Sequence, residues 1–76
     1  MIEVAPEHYW KELTVEDAVL YCFALTIDGK VGWRLPTYKE ANEMDMYGSC
    51  WNQIDIKNPD WNGYEYTTIP VRDIDK

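Results

Sequence analysis

The chain is short of most of the residues from which active sites are usually built. Its 76 residues include one histidine, two cysteines and four glycines. His8 stands without a partner motif, so no Ser–His or Cys–His arrangement is legible, and no His-plus-Cys spacing suits a metal. Cys22 and Cys50 form neither a CxxC pair nor a disulfide-dense framework. The glycines are scattered rather than gathered into a phosphate-cradling loop. Positive charge is scarce as well. Seven Lys and Arg face 14 Asp and Glu, for a net charge of −7 and a pI near 4.4. Phosphate backbones demand clustered basic side chains, so direct nucleic-acid binding is not expected. No apolar run approaches the ~18 residues of a transmembrane helix, so no membrane partner is expected either. The stretch from Met1 to Trp10 carries Glu3 and Glu7 without a basic segment, which does not read as a signal peptide. Taken with the two cysteines, this points to free thiols in a reducing cytosol, with a single Cys22–Cys50 bridge as the alternative.

What the chain does have is aromatic mass: four Trp, six Tyr and one Phe. A chain of this size buries only roughly 60% of the surface its unfolded form exposes, and each aromatic can bury ~150–250 Å². Such content argues against disorder despite the charge. The length allows one domain. Residues 1–11 read as one short strand or an extended arm, and residues 12–73 as the core.

Two helices are legible. Thr14 to Leu25 opens on an N-cap threonine with Asp17 three residues on. Val15, Ala18, Val19, Cys22 and Leu25 form its apolar stripe, with Phe23 at the margin. Asp28-Gly29 then signals a turn. Thr37 to about Met46 begins with Thr37 and Glu40 as a capping box after Pro36. Ala41, Met44 and Tyr38 face inward, and Gly48 is the expected stop. The last third reads as β. Ser49 to Ile56 places Cys50, Ile54 and Ile56 on one face and Trp51 on the other. Asn58-Pro59-Asp60 and Asn62-Gly63 are turn signals, and Tyr64 to Ile69 alternates up to Pro70. The expected class is α+β: two helices packed on a small antiparallel sheet, with a hairpin of about 50–57 with 64–72.

The string Gly32-Trp33-Arg34-Leu35-Pro36-Thr37 with Glu40 resembles the signature of bacterial and phage domains related to the Lcl C-terminal domain and the formylglycine-generating-enzyme superfamily. Leu13-Thr14-Val15-Glu16-Asp17-Ala18, Tyr21-Cys22, Cys50-Trp51 and Ile69-Pro70-Val71-Arg72-Asp73 are similar to further segments of that family, in the same order. The resemblance covers about residues 12–73 and implies a pared-down C-type-lectin-like fold. Within the string, Leu35-Pro36 delivers the chain to the Thr37 cap. Trp33 anchors the turn, and Arg34 pairs with a carboxylate such as Glu40 or spans buried carbonyls. These residues read as structural rather than ligand-contacting. Catalytic members of the superfamily use cysteines in a much larger chain, and neither Cys22 nor Cys50 lies in such a motif. Both read as small buried hydrophobes. Trp51-Asn52 and Asn58-Pro59-Asp60 echo calcium-binding segments of sugar-binding lectins, but in reversed order and without the matching acids. No cofactor and no metal are expected.

Tyr47, Trp51, Trp61, Tyr64 and Tyr66 crowd the second half, several of them in or beside turns. Exposed Tyr and Trp are enriched in binding hot spots, and Trp61, between Asp60 and Asn62, is the foremost candidate. The competing reading makes it a lid over a thin core. The expected function is a non-catalytic protein-binding module, of the kind small phage accessory proteins represent, acting in the bacterial host cytoplasm. Its partner is a protein with a basic patch, because a surface of charge −7 steers positive charge toward it. A homo-oligomer is a variant of the same reading. The alternative is an acidic inhibitor that mimics nucleic acid and occupies the groove of a host enzyme. With no nucleophile–base pair, metal set or cofactor loop in the sequence, an enzyme is not expected.

Overall fold

The computed structural model describes residues 1–45 and 50–74. The first helix, α1 (Val15–Ala24), begins where the Thr14 side chain accepts the Asp17 backbone N–H at 3.3 Å. It ends where Leu25 donates back to the Cys22 carbonyl. Its stripe is narrower than the sequence suggests. Val15, Ala18 and Cys22 are buried, whereas Val19 is on the surface and Phe23 is 84% exposed. Asp28 and Gly29 follow at φ +52° and +78°. Two successive positive φ angles suit a two-residue hairpin turn, and glycine takes the second at no steric cost. Ile27 and Lys30 exchange backbone hydrogen bonds across this turn at 3.1 and 2.9 Å.

Helix α2 (Tyr38–Glu43) carries both halves of the capping box. Thr37 accepts the Glu40 N–H, and Glu40 reaches back to the Thr37 N–H at 2.9 Å. It is shorter than expected. The chain turns at Met44 and Asp45, the latter at φ +61°, and the anticipated Gly48 stop lies outside the described residues. Ala41 is buried, Met44 is half-buried, and Tyr38 is on the surface rather than facing inward.

Four short strands complete the fold: β1 (Ile2–Val4), β2 (Lys11–Leu13), β3 (Tyr66–Thr68) and β4 (Val71–Asp73). They form two separate two-stranded antiparallel sheets, β1 with β4 and β2 with β3. Val4 faces Val71 in the first, and Leu13 faces Tyr66 in the second. The expected hairpin of about 50–57 with 64–72 therefore does not form. The tail pairs with the N-terminal third of the chain instead. The reason lies in residues 50–57. After a single parallel bridge from Cys50 to Thr67, the Asn52 side chain accepts the Ile54 N–H and Asp55 accepts the Asn52 N–H. Such local side-chain bonds compete with a β ladder, and residues Asp55–Lys57 coil into a 3₁₀ turn. A second such turn, Pro59–Trp61, is capped by Asn58. Pro70, which has no N–H to give a ladder, separates β3 from β4.

The main core gathers Ala5, Val15, Ala18, Cys22, Ile27, Trp33, Leu35 and Trp51, and a smaller one holds Ala41, Cys50 and Ile69. The radius of gyration is 11.6 Å, close to the ~11 Å expected of a compact chain of this length. Among the described residues, no helix is long and apolar enough to cross a membrane.

Candidate functional site

Four of the five aromatic residues singled out in the second half form one edge-to-face network. Trp51 meets Tyr66 at 5.0 Å and Trp61 at 6.1 Å between ring centroids. Trp61 in turn meets Tyr66 at 5.6 Å and Tyr64 at 5.8 Å. All four pairs are tilted by 75–77°, the T-shaped geometry that the ring quadrupoles favour. The fifth residue, Tyr47, lies outside the described residues.

The network runs from core to surface. Trp51 is its root. It is 1% exposed, and its indole N–H donates to the Leu13 carbonyl at 2.6 Å. Trp51 is thus no surface anchor, because the segment that was expected to be a strand turns its ring inward. Trp61 is half-buried and packs on the main core. Tyr64 and Tyr66 are exposed, Tyr64 the more so at 56%. Trp61 packs against the main core and also against the two exposed tyrosines. Asp60 and Glu65 are exposed beside them.

The motif residues sit where the sheets and α2 meet. Trp33 is buried and donates its indole N–H to the Lys30 carbonyl at 3.0 Å. Leu35 and Pro36 are buried. Arg34 exchanges backbone hydrogen bonds with Val71 at 2.7 and 2.8 Å. Its guanidinium reaches both Glu40 oxygens at 2.8 and 3.1 Å, Asp73 at 2.7 Å and the Leu35 carbonyl. This fork ties α2 to β4, and the hydrogen bonds that Arg34 donates hold the Glu40 carboxyl down at about 2. The same hydrogen bonds raise the Arg34 pKa. A group so fully engaged is positioned to hold the fold.

The cysteines are free and buried, and burial pushes both thiols up to about 11. Such thiols are protonated at neutral pH, the opposite of the electropositive setting a nucleophile needs. His8 is exposed and stacks beside Tyr9. Among the described residues, no group of three or more His, Cys, Asp or Glu side chains is placed to hold a metal ion.

A second surface is not legible in the sequence. Val19, Phe23 and Ile56 line an open cleft of about 170 Å³ floored by Trp33 and Leu35. At Gln53 it adjoins a wider cleft of about 550 Å³, lined by Thr37, Tyr38, Lys39, Ile54 and Lys57 as well. The sequence places Val19 on the α1 stripe and Ile54 and Ile56 on one strand face with Cys50. The visible signal is that α1 has more apolar positions than one stripe can hold: Leu20 and Phe23 lie outside it and are 65% and 84% exposed.

No family model, no curated protein and no solved structure matches the chain.

Proposed function

We propose that this chain is a non-catalytic protein-binding module whose partner docks on the tyrosine surface built by Trp61, Tyr64 and Tyr66. The observation that carries the reading is the edge-to-face network itself. It fixes Tyr66 on the buried Trp51 and both exposed tyrosines on the half-buried Trp61, so they offer large contact area at little further entropic cost on binding. The acids shape the choice of partner. The described acids outside the ion pairs are spread over the chain: Glu7 before β2, Glu12 on β2, Glu16 and Asp17 on α1, Asp28 in the hairpin turn, Glu43 and Asp45 at the end of α2, Asp55 and Asp60 in the Asp55–Lys57 and Pro59–Trp61 turns, and Glu65 before β3. This distribution favours a generally negative surface that attracts a basic patch over a phosphate-like row, and so favours the binding module over a nucleic-acid mimic. The finer fold reading, a pared-down C-type-lectin-like domain of the kind found in phage accessory proteins, rests on the Gly32–Thr37 string and the segments around it.

The test is affinity capture from a bacterial host lysate, identification of the captured protein, and repetition with Tyr64→Ala. Tyr64 is exposed, so the variant should keep its melting temperature. The expected result is capture of a protein with a basic patch and at least tenfold weaker binding by the variant, about 1.4 kcal/mol or more. A strictly monomeric protein that captures nothing, or an unaffected variant, overturns the assignment.

A further inference from the structure

We infer that the two joined clefts between α1, the start of α2 and the Asp55–Lys57 turn dock an extended segment of a partner protein in which an acidic side chain stands beside large apolar ones. The charge distribution carries this. In a molecule of net charge −7, four of the six described Lys and Arg side chains are engaged. Lys30 and Arg72 hold Glu3, and Arg34 holds Glu40 and Asp73. Lys11 lies 5.9 Å over the Tyr21 ring. Lys39 and Lys57 enter none of these contacts, and both line the same wide cleft.

They come from distant parts of the chain, brought together by the fold. Asp55, on the same turn as Lys57, spends a carboxylate oxygen on the Asn52 N–H at 3.0 Å and lines the neighbouring cleft beside Trp61, which shares Tyr38 and Ile54 with the wide one. Among the described residues, neither ammonium group has a carboxylate within ion-pair distance, and both line one open groove, against the sign of the whole molecule. Complementarity calls for an anion between them.

The adjoining cleft supplies the apolar half. Phe23, Val19 and Ile56 form its walls, all substantially exposed. Exposed apolar side chains that adjoin one another mark contact surfaces, unlike single ones scattered over a surface. The clefts are open and share Gln53 in their linings, an arrangement that suits a stretch of chain better than a compact ligand, which prefers an enclosed pocket. The carboxylate lies between Lys39 and Lys57, and an apolar side chain packs against Phe23. This deepens the reading of the chain as a protein-binding module but uses a surface separate from the tyrosines.

The probe is a dye-labelled, end-blocked peptide in which two glutamates are flanked by leucine and phenylalanine. Its control carries lysines in place of the glutamates. Fluorescence anisotropy with the full 76-residue chain is expected to show saturable binding of the acidic peptide at ~10–100 μM and at least tenfold weaker binding of the basic one. Lys39→Glu with Lys57→Glu should weaken the acidic peptide at least tenfold, and so should Phe23→Asp. Circular dichroism confirms that these exposed substitutions leave the fold intact. Tyr64→Ala should leave this binding unchanged, so the two surfaces fail or succeed separately. Equal binding of both peptides, indifference to the double charge reversal, or no binding up to about 1 mM overturns the inference.

Discussion

At the scale of single residues, the hydrogen-bonding ends of aromatic side chains fasten the loops. Three of the four tryptophans donate their indole N–H to a backbone carbonyl: Trp10 to Ala5, Trp33 to Lys30 and Trp51 to Leu13. Tyr21 does the same to Tyr9 with its hydroxyl at 2.6 Å. Each ring buries apolar area while its polar end finds a backbone carbonyl as its partner. Glu40 is the residue on which pH acts. Its carboxyl is held at about 2 in the fold, against 4.5 for an ordinary glutamate. As pH falls, the unfolded chain takes up the proton first. The stabilisation is therefore complete above about pH 4.5 and is lost progressively toward pH 2. Because the side chain is only 18% exposed, the effect is on the order of 2 kcal/mol. Urea denaturation of Glu40→Gln should show lower stability than the parent at pH 7, by about that amount, and the two curves should converge near pH 2. Parallel curves across that range would rule out the Arg34 pair as the source.

At the scale of elements, local rules and tertiary demands part company. Both helix starts follow from Thr14 and Thr37, because a cap satisfies backbone N–H groups with atoms at most three residues away. The Asp28-Gly29 turn is equally local. Its two positive φ angles predict that Gly29→Ala costs about 1 kcal/mol. No atom lies within 4 Å of an added Cβ, so the cost comes from the backbone alone and not from a clash. Thermal denaturation should show a drop of several degrees for Gly29→Ala, and an unchanged midpoint would mean the turn relaxes freely. The strands did not obey a local rule. Asn62-Gly63 and the alternation of Tyr64–Ile69 suggest a hairpin with the preceding segment. Yet the polar side chains of Asn52 and Asp55 bond the backbone around them, and the partner strands come from the N-terminal third.

At the scale of the whole molecule, the ends of the chain hold each other. β4 is the central piece: Val71 pairs with Val4 on one edge and with Arg34 on the other. Glu3 binds both Lys30 and Arg72, and Ala5 donates its N–H to the Pro70 carbonyl at 2.9 Å. Removing residues 1–5 should therefore abolish cooperative folding rather than trim a tail. This would be visible as loss of a sigmoidal urea transition and of dispersed amide resonances. A truncated chain that still unfolds cooperatively would show the arm to be dispensable.

The sequence by itself determined the α+β class, the two helix starts and the crowding of aromatics late in the chain. These depend on neighbours in sequence or on composition. Only the tertiary structure decided strand partners, which late tryptophan is fully buried and which half-buried, and that Lys39 and Lys57 line one groove. Those depend on contacts between segments tens of residues apart, which no local pattern encodes. The −7 charge was legible from the outset. That two positive side chains are set together against it, in one groove, follows only from how α2 and the Asp55–Lys57 turn pack.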